Sequence, residues 1–152
     1  MISLNERISL LENGNGSTTS DVYAFKASSN LNANQNFNSG NIAQYNFLDF
    51  CVPSSTAYDT ATYSYTVQKD GIYNFTYKLY CQTSSTSAAR FGIYKNNGLV
   101  AISGQFVGNI ETATLLMNCV VGDYVSIKCL FGSNISCMMS NQHSWFQGYL
   151  LK

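Results

Sequence analysis

Between Tyr73 and Leu79 the chain alternates strictly, with Tyr73, Phe75, Tyr77 and Leu79 apolar and Asn74, Thr76 and Lys78 polar. Successive side chains of an extended chain point to opposite faces, so this run is a strand with one buried and one solvent-facing side. Such a strand needs sheet neighbours and a second layer over its aromatic face. Tyr63, Tyr65 and Val67, alternating with Ser64 and Thr66, supply another half-buried strand, and Lys69-Asp70-Gly71 turns the chain between the two.

The remaining chain reads the same way. Residues 22–25 and 45–52 are short strands, the second closed by Pro53. Residues 91–94 lead into Asn96-Asn97-Gly98, a hairpin signal, and 99–103 return. Residues 115–121, Gly122-Asp123 and 124–131 read as a second hairpin, and 144–151 as a final strand. Residues 30–46 read as a long Asn-rich loop interrupted by Phe37, and 83–89 as a small-polar loop. Short strands at near-regular spacing with almost no helix predict an all-β chain, a single β-sandwich or jelly roll.

Residues 1–12 differ. Met1, Leu4, Ile8 and Leu11 follow the spacing of a coiled-coil seam. About three helical turns are too short to stand alone in water, so the seam packs against other copies or lies as an arm on its own domain. Two glycines in residues 13–21 make that stretch a neck. The expected organisation is an oligomerisation or anchoring arm (1–12, helical or extended), a Gly/Ser/Thr neck (13–21) and one β domain (22–152).

Charged residues are only 11% of the chain and the formal net charge is zero. Electrostatic capture of nucleic acid is therefore not expected. No apolar run approaches the roughly 20 residues of a membrane helix, and membrane insertion is not expected. The opening residues lack the basic and continuous apolar stretches of a secretory leader, so either a longer precursor or fibre was trimmed, or the protein is made and kept in a cytosol. The five cysteines, Cys51, Cys81, Cys119, Cys129 and Cys137, are odd in number and contain no C-x-x-C pair. They read as buried thiols in a reducing compartment, the alternative being a Cys129–Cys137 bridge. Sequons at Asn15, Asn74 and Asn134 are not expected to carry glycan, since Asn74 lies inside a strand.

No catalytic pattern stands out. His143 is the single histidine, and no nucleophile motif surrounds it. Among the acids, Asp70 and Asp123 sit beside glycine as turn residues, and Asp49, Asp59 and Glu111 are scattered. The expectation is no enzyme, no metal and no cofactor. Tyr63, Tyr65, Tyr73 and Tyr77 concentrate on two strands expected to be neighbours. They fill the sandwich or face an oligomer axis, where Tyr is favoured for its apolar body and polar tip.

The order of these features resembles the C1q-like and tumour-necrosis-factor-like jelly rolls. Residues 22–27 resemble that family's first strand, and Tyr58 with 61–67 the strand entering its Gly-aromatic motif, which here is residues 70–77. Residues 93–100 resemble its N-G hairpin and 115–127 its paired strands around a Gly-Asp turn. Residues 144–151 resemble its closing Phe-x-Gly-aromatic-Leu strand. The resemblance implies a ten-stranded sandwich that forms compact trimers, often below a stalk. It implies a loop calcium site in secreted members, which the eight scattered acids here do not reproduce.

These readings together predict a non-enzymatic structural protein forming a symmetric homo-oligomer, a trimer or pentamer. The favoured setting is a virion component (vertex or penton, fibre head or minor capsid protein) assembled in host cytoplasm beside other capsid or fibre proteins. The alternative is an extracellular C1q-like recognition module that binds glycan or a receptor. The candidate oligomer contacts are Met1, Leu4, Ile8, Leu11, Tyr63, Tyr65, Tyr73 and Tyr77.

Overall fold

A computed structural model describes residues 22–30, 32–82, 90–102 and 109–151. The arm, the neck and the 83–89 loop therefore lie outside the described residues. Among the described residues twelve strands run in chain order: β1 (Ala24–Ser28), β2 (Ala33–Phe37), β3 (Phe47–Val52), β4 (Tyr58–Asp59), β5 (Ser64–Thr66), β6 (Gly71–Gln82), β7 (Arg90–Lys95), β8 (Gly98–Ile102), β9 (Ile110–Cys119), β10 (Tyr124–Phe131), β11 (Ile135–Met139) and β12 (Trp145–Leu150). They form a seven-stranded and a five-stranded sheet, all pairings being antiparallel. Among the described residues no helix is long and apolar enough to cross a membrane.

The alternating strand is the spine of the larger sheet. Along one edge of β6 lies β9, from Gly71↔Cys119 to Tyr80↔Ile110. Along the other lie β12 and then β11, end to end. Strands β1 and β2 continue outward in the same broken fashion, against β12 and β11, and β3 closes the sheet against β1. The smaller sheet runs β4-β5-β10-β7-β8. Its β7–β8 hairpin turns on Asn96 and Asn97 with φ of 51° and 64°. Asn tolerates these left-handed values, which suit the twist of a two-residue hairpin.

The predicted period places Tyr73, Phe75, Tyr77 and Leu79 in the core. Phe25 reaches across from β1 and stacks on Tyr65 at 4.2 Å. Gly148 faces this cluster because nothing larger fits. A Cβ there would lie 2.6 Å from Phe75 Cδ1 and 2.8 Å from Phe25 Cε1. Gly148→Ala is expected to cost about 1–3 kcal/mol through overpacking. The measurement is urea unfolding, with a lower midpoint at unchanged slope.

Several expectations are corrected. The 30–46 stretch is not all loop: Ala33–Phe37 forms β2, recruited by β11 although Phe37 is its one fully buried residue. Residues 115–131 are not a hairpin, because β9 belongs to the larger sheet and β10 to the smaller; Gly122-Asp123 carries the chain across the sandwich. The strands of Tyr65 and Tyr73 likewise belong to opposite sheets and meet through the core, ring centroids 6.2 Å apart. The expectation of five thiols fails, and so does the Cys129–Cys137 alternative. Cys81 is bridged to Cys137, because β6 and β11 pair these residues in register, whereas Cys129 lies on β10 in the other sheet. Cys51, Cys119 and Cys129 are free. Burial pushes the Cys129 thiol up to about 11, which keeps it protonated and unreactive at neutral pH.

Candidate assembly face

The outer face of the larger sheet follows from strand period and register. Positions opposite one another share a face, so the outward row of Asn74 runs Val52, Ala24, Tyr149, Asn74, Leu116. The next row runs Phe50, Lys26, Gln147, Thr76, Thr114, and the third Phe47, Ser28, Trp145, Lys78, Thr112, in which Ser28 is fully buried. Phe50 is 49% exposed, Leu116 57% and Tyr149 42%. In these three rows the charged side chains are Lys26 and Lys78. Neutral pairs occupy the centre: Asn74 Nδ2 donates to the Tyr149 hydroxyl at 3.0 Å, and the Thr76 and Thr114 hydroxyls lie 3.0 Å apart. A sheet face meant only for water carries charge at such positions; this one carries apolar side chains at both margins.

A second apolar strip lies on β8, at the edge of the smaller sheet, where Leu99, Val100 and Ile102 are exposed. The β7 backbone beside it is tied across the core to β9. Buried Glu111 accepts from the Phe91 amide at 3.1 Å and from the Tyr77 hydroxyl at 2.8 Å. This carboxylate is a clamp between the sheets.

Three of the four tyrosines expected at an oligomer contact are fully buried in the chain's own sandwich: Tyr65, Tyr73 and Tyr77. They lie on the inward phase of their strands, so the correction is to core. Tyr63 is half-buried at φ 54° just before β5. Met1, Leu4, Ile8 and Leu11 lie outside the described residues. Phe47, Phe50, Leu116 and Tyr149 were missed. Their signal was an apolar residue on the polar phase, hidden in β3 by a register shift at Lys26/Ala27.

Of the catalytic candidates, His143, Asp59, Asp70, Glu111 and Asp123 are engaged by hydrogen bonds of the fold, and Asp49 is exposed on β3. His143 Nδ1 and Ser140 Oγ are 2.6 Å apart, inside a turn where the His143 and Ser144 amides donate to the Ser140 carbonyl. Among the described residues no carboxylate orients His143. Asp123 accepts from the Val120 amide at 3.0 Å and from Asn96 Nδ2 at 2.6 Å, with Lys95 Nζ at 3.4 Å. The Val120 amide bond leads in holding its carboxyl below the usual range. Asp59 caps the Ala61 amide, and Asp70 the Val121 amide. Among the described residues no group of three metal-ligating side chains is brought together.

No protein-family model and no curated protein matches the chain. Solved structures do match in shape. The Eiger TNF of S. frugiperda superposes with a TM-score of 0.65 at 12% identity, covering 86% of this chain and 93% of that one. The globular domain of zebrafish complement 1qA gives 0.65 at 12%, covering 86% and 98%. Murine APRIL at pH 5.0 gives 0.62 at 9%, covering 86% and 100%. The fold is the C1q/TNF-like jelly roll. In this jelly roll the Gly-aromatic motif of residues 70–77 is the start of β6, and 144–151 contains β12.

Proposed function

We propose that the chain is a non-catalytic assembly module that forms a closed homo-oligomer through the outer face of its larger sheet. The observation that carries this is the run of exposed apolar side chains along three rows whose charged members are Lys26 and Lys78. The separate β8 strip supports a head-to-tail contact, because a ring needs two different surfaces that meet. Three copies is the number implied by the C1q/TNF-like resemblance.

The Cys81–Cys137 bridge supports a place outside the reducing cytosol, since bridges persist in extracellular fluid and on virion surfaces. Within that setting one reading is a displayed recognition module whose loops meet glycan or receptor. The virion reading, as vertex, fibre head or minor capsid protein beside other capsid or fibre chains, is supported by the low-charge surface.

Native mass spectrometry at micromolar concentration tests assembly. A trimer is expected, and a pentamer moves the reading to an icosahedral vertex. Phe50→Glu with Leu116→Glu is expected to weaken association by about 30-fold or more, the scale of losing one interface hot spot, with circular dichroism unchanged. A wild-type monomer, or an unaffected double variant, overturns the proposal.

A further inference from the structure

The Cys81–Cys137 bridge bears on the three sequons, because bridges and N-linked glycans are both marks of the secretory route. Asn15 lies outside the described residues. Asn74 is interior to β6, between β12 and β9, and its carboxamide donates to the Tyr149 hydroxyl at 3.0 Å. A bulky sugar there would break that bond and cover the centre of the outer face. Asn134 is placed differently. With Ile135 and Ser136 completing its sequon, it sits in the turn between β10 and β11. It is exposed, at φ 51°, a left-handed value that Asn tolerates.

This turn is pinned without the Asn134 side chain. The Asn134 amide donates to Asn38 Oδ1 at 2.9 Å. The Ser39 amide donates to the Gly132 carbonyl at 3.1 Å, and its hydroxyl to that of Leu130 at 2.9 Å. None of these bonds uses the Asn134 carboxamide, so a group attached there leaves the turn intact. Phe131 stands three residues before Asn134 and is 65% exposed, the highest value among the large apolar side chains described. An aromatic ring in water is a platform for the apolar C–H face of a sugar, which gains by leaving water.

We propose that Asn134 is an acceptor of an N-linked glycan, and that the first sugar packs on the Phe131 ring. Transfer joins the Asn134 carboxamide nitrogen to the anomeric carbon of an oligosaccharide carried on a lipid diphosphate. The bond from that carbon to the diphosphate oxygen breaks, the lipid diphosphate leaves with the electron pair, and the carboxamide gives up one proton. Ser136 supplies the hydroxyl that the sequon requires. The acceptor turn lies outside the three outward rows, so the assembly face stays open. The proposal rests on the setting outside the reducing cytosol and not on the assembly reading.

The test secretes the full chain from insect cells behind a cleavable leader. The product is treated with an amidase that releases N-linked glycans and turns each linked Asn into Asp. Peptide mapping is expected to find Asp at position 134 and Asn at 74, and no glycan at position 134 in Asn134→Gln or Ser136→Ala. The same map reads the bridge. Unmodified Asn134 in bridged protein overturns the proposal and leaves the setting standing. Unmodified Asn134 with Cys81 and Cys137 free overturns both, and a glycan at Asn134 with those thiols free upholds the acceptor and overturns the setting. Asp at 74 would show that the fold does not choose between the two sequons. Removing the glycan is expected to lower the urea midpoint of the wild type at unchanged slope and to leave that of Phe131→Ala in place. Equal shifts in the two, zero included, overturn the Phe131 contact.

Discussion

Replacing Phe25 with Ala is expected to remove about 3–5 kcal/mol of folding stability, a large share of the roughly 5–15 kcal/mol that holds a domain together. Phe25 is where the two layers meet. From β1 it stacks on Tyr65 at 4.2 Å and Tyr58 at 5.6 Å in the smaller sheet, and meets Phe146 edge-on at 4.9 Å in its own. It is 1% exposed. Truncation leaves a cavity between the two packed sheets, whose incomplete relaxation places the cost above simple transfer. Chemical unfolding of Phe25→Ala reads the loss. Pairing it with Tyr65→Ala in a double-mutant cycle is expected to show a coupling of about 0.5–1.5 kcal/mol from the stacked rings. A loss near 1 kcal/mol, or no coupling, would mean that the layers do not meet at Phe25.

The second large effect concerns the bridge. Cys81 and Cys137 are 56 residues apart in sequence, and a crosslink closing such a loop restricts the unfolded chain by about 4 kcal/mol in the chain-entropy account. The double variant Cys81→Ala, Cys137→Ala is expected to lose stability on that scale while keeping the fold, since both positions are interior to paired strands. Unreduced wild-type protein should weigh two hydrogens less than the reduced form. Its peptide map should join Cys81 to Cys137 and leave Cys51, Cys119 and Cys129 alkylatable after unfolding. Alkylation of all five without prior reduction would remove the bridge and, with it, the support for an oxidising setting.

Much of the sandwich was legible in the sequence. The period of β6, the Asn96-Asn97 hairpin and the closing strand were visible because each is a local property: alternation, tolerance of positive φ, and an aromatic-glycine pattern. Strand β11 was overlooked, yet Ile135, Cys137 and Met139 alternate inward and are buried. Their alternation spans only three inward positions, one of them a cysteine, between polar stretches. Strand β2 carried too weak a pattern, with Phe37 alone as anchor, and exists through its partner. The Gly122-Asp123 turn looked like a hairpin because turn chemistry does not record which sheet the next strand joins.

The tyrosines show the division most clearly. By itself the sequence determined that Tyr65, Tyr73 and Tyr77 share the apolar phase of their strands, since the pleat dictates which residues lie together on a face. Tertiary structure decided what that face meets. Packing the two sheets buried those rings inside the chain and turned Phe47, Phe50, Leu116 and Tyr149 outward, and the pairing of β6 with β11 selected which cysteines bridge. Alternation is a rule of the local backbone. Which strands become neighbours, and which face meets the other sheet, is settled by contacts between residues far apart in the chain, which no local pattern contains.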